Sequence, residues 1–288
     1  MIPILLDLHF FKIYTFGVFA AAALLCAFFV LWKHLKLTSY SEETIFDSIF
    51  VSLAGGLIIS RLIFVAFHFN LFGLNILKII LVNGYPGASL VGFIIGFYCV
   101  LILSLTRRGF ERGRGLDYTV SPMLVALSLG KIGSFLSGVD VGTKTTLPLA
   151  VSYVGYKGMR HITAFYEAIL FLFAAYIAQR ILFAIRRGNM SPGGAFYWFI
   201  LSFGSVILLL DKLKQNHLYL RGLTLNVVIG LVFVVIGTVY FIYINRQKIS
   251  HWIILVITKL KSKKHHVTIF KTRTTGVTEK PQHKKKEA

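Results

Sequence analysis

The sequence predicts an all-α integral membrane protein with about seven transmembrane helices. Of its 288 residues, 56% are hydrophobic and only 15% are charged. Several apolar runs reach or approach the roughly 20 residues that a helix needs to cross about 30 Å of hydrocarbon. Composition and run length together argue against an ordinary soluble domain.

The apolar runs divide the chain into seven predicted spans and a tail. The spans cover residues 13–32, 44–69, 87–105, 117–136, 162–185, 194–210 and 223–244. Residues 1–247 are therefore expected to form one membrane domain. In the remainder, 248–288, a short apolar run followed by lysines favours a position in the membrane interface, and the polar, basic end favours disorder in the cytoplasm.

Polar or small residues mark the first three spans. Tyr14 stands where the first span begins, as is typical of interfacial aromatic residues. Arg61 lies well inside the second span, where it either snorkels toward the outer interface or serves a site. Ser89 precedes the third span, in which Gly92 and Gly96 are four residues apart and share one face. Their spacing favours close packing of that helix.

The fourth and fifth spans carry buried charge. The fourth ends in Gly130–Gly138, which reads GKIGSFLSG and places Lys131 in an apolar helix. A basic side chain near the bilayer centre costs about 3 kcal/mol, so Lys131 is expected to face the protein interior or a wet cavity and to pair with an anion. The fifth span begins near His161 and holds Glu167 about one turn inside. These two residues are candidates for a helix cap and a buried ion-pair member.

The last two predicted spans contain no charged residue. Pro192, Gly193 and Gly194 precede the sixth span, and the seventh is a continuous, mostly apolar run at 223–244.

Basic residues predict the orientation. The connections after the first, third and fifth spans hold nine Lys and Arg residues, against eight on the opposite side, and the tail from Arg246 onward adds twelve. Because basic residues favour the cytoplasmic side, the amino terminus is expected outside and the carboxyl terminus in the cytoplasm.

The net charge of +20 indicates anionic lipid rather than nucleic acid as a partner, because the basic residues cluster at membrane edges. The nine histidines show no metal-ligand spacing. Cys26 and Cys99 both lie in apolar segments, where a free cysteine behaves as a small hydrophobic residue.

Taken in order, these elements resemble the bacterial prolipoprotein diacylglyceryl transferase family over nearly all of residues 1–247. The segment Gly130–Gly138 is similar to the family signature Gly-Arg-[Ile/Leu]-Gly-Asn-Phe-[Ile/Leu]-Asn-Gly. The segment His161–Glu167 resembles His-Pro-[Ser/Thr]-Gln-Leu-Tyr-Glu and keeps four of its residues: His161, Thr163, Tyr166 and Glu167. Tyr14 and Arg61 fall where the family carries a first-span tyrosine and a second-span arginine.

The resemblance implies a lipid reaction in the bacterial plasma membrane. The family moves diacylglyceryl from phosphatidylglycerol to the cysteine thiol of a lipoprotein precursor, releases glycerol phosphate and requires no cofactor or metal. Phosphatidylglycerol or another anionic lipid and a precursor peptide are thus the implied partners. The implied catalytic residues are Lys131, Ser134, His161, Glu167 and Asp211. The implied substrate-binding residues are Tyr14, Arg61, Ser89, Gly138 and Tyr166.

Several positions depart from the family pattern. Val91 stands where the family has a catalytic histidine, and a valine cannot move a proton. Ile207 replaces an arginine, Ser134 replaces an asparagine, and Phe203 replaces a tyrosine, while Asp211 and Lys214 follow in place of a glutamate and an arginine. Lys131 would act on a phosphate as a point charge without the bidentate fork of an arginine.

These departures leave two main hypotheses: a divergent transferase with a rearranged site, and a noncatalytic lipid-binding or scaffold protein of the same fold. A channel or transporter is a third, but no inverted repeat supports it. A working site should gather Lys131, Glu167, Tyr14 and Asp211 around a cavity open to lipid. A structural remnant should fill that space with Val91, Phe203 and Ile207.

Overall fold

The computed structural model describes residues 2–7, 12–36, 41–82, 84–215, 219–220, 223–243 and 246. Seven helices in this described part are long and apolar enough to cross a membrane. They are α1 (Thr15–Leu35), α2 (Glu42–Phe67), α5 (Leu90–Arg107), α6 (Arg112–Ser137), α7 (Thr163–Arg186), α8 (Gly194–Leu210) and α9 (Leu225–Tyr243). The seven predicted spans are confirmed, with ends within three residues of the expected positions except that α6 begins five residues earlier than predicted.

Short elements between the spans were not anticipated from the sequence. Two short helices, α3 (Phe69–Phe72) and α4 (Ile76–Ile80), lie between α2 and α5, and a 3-10 turn (Asp211–Leu213) follows α8. The described residues also form three antiparallel strand pairs. They are β1 (Ile4–Asp7) with β2 (Lys12–Tyr14), β3 (Ala150–Ser152) with β4 (Met159–His161), and β5 (Tyr219–Leu220) with β6 (Leu223–Thr224).

The chain separates into two compact units, Met1–Thr238 and Val239–Ala288. The first unit contains the packed helices α1–α8 and both cavities. In the second, the described residues are 239–243, which are helical, and 246. The predicted interfacial segment and tail at 248–288 lie outside the described residues, and the predicted orientation of the termini remains a prediction.

Helix α6 lies at the centre of the first unit. It packs against α1, α5, α7 and α8, and it is the most buried of the seven spans. Its inner side chains join an apolar cluster that includes Leu124, Phe171, Phe199 and Phe203. The position of α6 explains why a charged residue on it is shielded from lipid.

The helices α2 and α5 make a second close contact. A Cβ added at Gly96 would lie 2.7 Å from the Cβ of Ile59, and one added at Gly92 would lie 3.1 Å from the Cα of Ser60. Any larger side chain would therefore push the two backbones apart. The packing role predicted for Gly92 and Gly96 agrees with this contact.

A buried carboxylate fixes the beginning of α8 against α6. Asp117, only 1% exposed, accepts hydrogen bonds from the backbone N–H groups of Gly193, Ala195 and Phe196 at 2.6–3.0 Å. The first N–H groups of a helix have no partner within it, and they carry the positive end of its dipole. Asp117 therefore supplies from another helix the cap that the Pro192-Gly193-Gly194 sequence lacks.

Replacing this cap should destabilise the bundle. We expect Asp117→Ala to lower the free energy of unfolding by about 2 kcal/mol or more, because three buried N–H groups lose a charged acceptor. Thermal unfolding of the detergent-purified protein measures the change. Asp47→Ala is the matched control, since Asp47 is an exposed residue paired with Arg108 at 3.5 Å, and it should change stability by less than about 1 kcal/mol. Equal losses in the two variants would contradict the capping role.

Candidate active site

A chain of ion pairs surrounds Glu167 in the interior of the bundle. The Nζ atom of Lys131 lies 2.6 Å from one carboxylate oxygen of Glu167, and the Nζ atom of Lys214 lies 2.6 Å from the other. Lys131 also lies 2.7 Å from Oδ2 of Asp140. The side chain of Glu167 is 2% exposed, those of Lys131 and Lys214 are 13% and 18% exposed, and that of Asp140 is 32% exposed. We call these four residues the ion cluster.

The end of α6 brings Asp140 back to Lys131. Gly138 ends the helix in the left-handed conformation, with φ at 75°, and so reverses the chain direction where a larger side chain would be strained. Burial by itself raises the pKa of Asp140, but the charge of Lys131 and the hydrogen bond from Lys131 outweigh burial, so this pKa lies below its ordinary value.

Lys214 reaches the cluster because three loop segments are joined to one another. Thr143 donates its backbone N–H to the carbonyl of Leu213, and Gln215 donates to the carbonyl of Val141. Across these strands, Nη1 of the buried Arg160 donates to the carbonyl of Gly142 at 3.0 Å and to Oε1 of Gln215 at 2.7 Å. The segments that carry Asp140 and Lys214 are thus held together.

The first of two cavities is mostly apolar and ends at Lys131. It has a volume of about 420 Å³ and lies between α1, α2, α5 and α6. Phe16, Ala20, Leu24, Phe28, Leu53 and Phe93 are among its apolar lining residues. Its polar lining residues include Lys131, Ser134 and Asp140. This volume and mostly apolar lining fit an acyl chain next to a charged group.

The second cavity has a volume of about 250 Å³ and is more polar. Lys131, Glu167 and Lys214 line it, together with His68, Ser89 and Asn226. Val91, Phe203 and Ile207 also line this cavity, but they leave it open rather than filling it. Lys131 is thus shared by both cavities, and it stands where an apolar space meets a charged one.

Two predicted residues from the start of α7 lie close to the ion cluster in sequence but outside both cavity linings. The ring of His161 meets that of Tyr166 edge-on at 6.5 Å, and its Nδ1 atom is buried with no partner among the described residues. The hydroxyl of Tyr166 donates to the carbonyl of Leu149 at 3.4 Å. Tyr166 is therefore bonded to the residue before β3, and its ring contacts that of His161, the last residue of β4.

Arg61 makes a different set of contacts from those expected of a substrate-binding residue. Its guanidinium donates to the backbone carbonyls of Ile79, Gly87 and Lys78 at 2.8–3.2 Å. It lines neither cavity. Since α4 ends at Ile80 and Gly87 leads into α5, Arg61 holds the connection between those helices in place. The guanidinium is bonded to backbone carbonyls rather than snorkelling, and the substrate-binding role of Arg61 stays a prediction.

Tyr14 and Asp211 do not join the expected grouping around one cavity. Tyr14 is 58% exposed and precedes α1, as an interfacial tyrosine would. Asp211 is 2% exposed, and its Oδ2 accepts a hydrogen bond from the hydroxyl of Thr224 at 2.5 Å. Neither residue lines the two cavities. Asp211 links the turn after α8 to the segment that leads into α9.

Ser89 lines the second cavity, and its hydrogen bonds connect the start of α5 to α2. Its hydroxyl accepts a hydrogen bond from the N–H of Gly92 and caps α5, and its carbonyl accepts one from the hydroxyl of Ser60 at 2.8 Å.

Two members of the ion cluster, Asp140 and Lys214, were not predicted as site residues from the sequence. Asp140 lies two residues beyond the Gly130–Gly138 segment, and Lys214 stands where the family pattern has an arginine.

The fold and the cavities define a multi-pass membrane protein with a largely buried cluster of ion pairs beside a mostly apolar cavity. The family model for prolipoprotein diacylglyceryl transferase matches residues 3–243. The chain belongs to this family, and it is a multi-pass protein of the bacterial plasma membrane.

Bacterial relatives named phosphatidylglycerol–prolipoprotein diacylglyceryl transferase are similar over most of the chain. The relative from Clostridium tetani is 27% identical over 223 residues, which cover 75% of this chain and 86% of the relative. The relative from Streptococcus pneumoniae is 26% identical over 261 residues, covering 87% and 97%. The relative from Finegoldia magna is 22% identical over 239 residues, covering 82% and 92%.

Replacing the Glu167 carboxylate should lower the stability of the protein. We expect Glu167→Gln to lower the free energy of unfolding by about 3–5 kcal/mol, because two largely buried ammonium groups lose their shared counter-ion. The measurement is thermal or denaturant-induced unfolding in detergent micelles. Asp7→Asn removes a charge from the exposed Asp7–Lys12 pair and should cost less than about 1 kcal/mol. A loss of that small size at Glu167 would contradict the account of the cluster.

Acid should weaken the protein partly through Asp140. A carboxyl with a lowered pKa in the folded state contributes stability above its unfolded pKa of about 4, and this contribution is lost as the pH falls through the folded value. Asp140→Asn should therefore reduce the drop in melting temperature between neutral pH and the range below pH 4. An acid-induced drop equal to that of the unmodified protein would show that Asp140 contributes nothing to it.

Proposed function

We propose that this chain transfers diacylglyceryl from phosphatidylglycerol to the cysteine thiol of a lipoprotein precursor. The observation that carries the proposal is the position of Lys131 at the junction of the two cavities. An acyl chain in the first cavity would place the lipid phosphate beside this ammonium. The second cavity would then receive the thiol of the acceptor.

The chemistry requires positive charge where the leaving group forms. As the bond between the glycerol carbon and the phosphate oxygen breaks, negative charge grows on the departing glycerol phosphate, and fixed cations stabilise it. Lys131 is one such cation. Ile207 removes a cation that the family pattern places in the sixth span, but Lys214 brings a second ammonium to the same cavity.

An anionic headgroup would change the balance of the ion cluster. Its two lysines and two carboxylates sum to zero charge, so a phosphate must compete with a carboxylate for Lys131. Asp140 is the more exposed of the two carboxylates, whereas Glu167 is held by two lysines. In the proposed mechanism the phosphate displaces Asp140 from Lys131 and leaves the Lys131–Glu167–Lys214 chain intact.

One observation favours a second candidate function, lipid binding without catalysis. Both oxygens of Glu167 are already paired, and Val91, Phe203 and Ile207 make part of the second cavity apolar. In that case the ion cluster would only hold helices together.

Complementation separates the two candidates. The chain is expressed in bacteria depleted of their own prolipoprotein diacylglyceryl transferase, and the mobility and lipid labelling of a lipoprotein are followed, with membrane expression verified. Lipidation of the substrate is the expected result. Absence of lipidation by well-expressed protein would favour the noncatalytic function.

Variants of Lys131 provide the sharper test. Lys131→Ala should lower transfer at least about a hundredfold, because the phosphate loses a buried cation, whereas Lys131→Arg restores a charge and should keep measurable transfer. Lys157→Ala removes an exposed lysine in the β3–β4 turn and is expected to leave the rate unchanged. The assay measures lipid label on the precursor at equal amounts of folded protein. Full activity in Lys131→Ala would show that Lys131 does not bind the lipid phosphate.

A further inference from the structure

His68 occupies a position in the second cavity that the proposed function leaves unused. Helix α2 ends at Phe67, and His68 is the residue that follows it. His68 lines the cavity together with Lys131, Glu167 and Lys214, and it is partly exposed. It therefore brings an imidazole into the space where the acceptor thiol would enter.

The hydrogen bonding of the ring selects one tautomer. Nδ1 of His68 lies 3.0 Å from the backbone carbonyl oxygen of Phe64, which can only accept a hydrogen bond. Nδ1 must therefore carry the proton, and the neutral ring keeps its lone pair on Nε2. The ring also stacks on that of Phe64, with centroids 4.2 Å apart and planes inclined by 27°. These two contacts hold the ring in one orientation.

The other ionisable groups that line this cavity are poor proton acceptors. Lys131 and Lys214 are ammonium groups in ion pairs, and each oxygen of Glu167 is held at 2.6 Å by one of them. Val91, which lines the same cavity, has no acceptor atom. Among the described residues His68 is thus the lining side chain with a basic lone pair outside the ion cluster.

The charged groups on neighbouring elements are mostly cationic. From α2 itself, the guanidinium of Arg61 lies over the rings of Phe64 and Phe72 at 5.9 and 5.0 Å. Lys78 of α4 lies over Tyr85 at 5.5 Å. Across the cavity are Lys131, Lys214 and the paired Glu167. This surrounding positive charge would also stabilise a thiolate once it forms.

We propose that Nε2 of His68 accepts the proton of the acceptor thiol, which makes His68 the general base of this chain. The inference rests on the proposed function. The S–H proton moves to Nε2, and the thiolate attacks the glycerol carbon next to the phosphate. A carbon–sulfur bond forms as the carbon–oxygen bond breaks, and its electron pair leaves with glycerol phosphate. The imidazolium then returns its proton to solvent or to the released phosphate.

The test uses the full chain in phosphatidylglycerol vesicles with a cysteine-containing precursor peptide, and it follows transfer rate against pH. His68→Gln should lower the rate near pH 7 by about 10²- to 10⁴-fold, the usual contribution of a general base. The loss should shrink as the pH rises past about 8.5, where a thiol ionises unaided. His68→Phe keeps a ring that can stack on Phe64 but lacks a lone pair, and it should behave as His68→Gln does.

The outcomes separate this inference from the proposed function. Transfer by the unmodified chain, with a pH-dependent loss in both variants, supports His68 as the base. Transfer that is equal in all three proteins overturns the role of His68 alone, and so does activity retained in His68→Phe, because ring packing would then be sufficient. A loss of the same size at every pH also overturns it. No transfer by the unmodified chain, with verified folding and lipid, overturns the proposed function and this inference together.

Discussion

The arrangement of the interior depends on one buried carboxylate shared by two lysines. Glu167 on α7 pairs with Lys131 on α6 and with Lys214 after α8. Neither lysine would be tolerated at such low exposure without an anion, and Glu167 would be equally unfavourable alone. The cluster therefore fixes where three segments meet. That meeting point is also where the two cavities touch.

If the proposed function holds, the same cluster explains how an interior without net charge would receive an anionic lipid. A site made only of cations would be costly to keep empty in a low-dielectric environment. Here Asp140 provides a counter-ion on the side of the apolar cavity, and it is the more exposed of the two acids. A phosphate can then exchange with Asp140 while Glu167 continues to hold both lysines. In the proposed function, the positive charge that would bind the lipid phosphate is the one that Lys131 shares with Asp140 in this structure.

Local sequence signals predicted the fold and part of the site. Run length predicted all seven spans, glycine spacing predicted the contact of α5 with α2, and the cost of a membrane lysine predicted that Lys131 needs an anion. Asp140, Lys214 and His68 were missed because their positions depend on chain reversals and on loops from distant parts of the sequence. Sequence reasoning also did not predict the contacts of Arg61: the family resemblance implied substrate binding, whereas its guanidinium donates to three backbone carbonyls.

The central claim is that the junction at Lys131 is a phosphate site, and a structure of the chain in nanodiscs containing phosphatidylglycerol tests it most directly. The account predicts a lipid phosphate within about 3 Å of Nζ of Lys131, the distance of a charge-assisted hydrogen bond. It also predicts an acyl chain in the apolar cavity and Asp140 displaced from Lys131. A lipid phosphate bound elsewhere, with the Lys131–Asp140 pair intact and the apolar cavity empty, would contradict it.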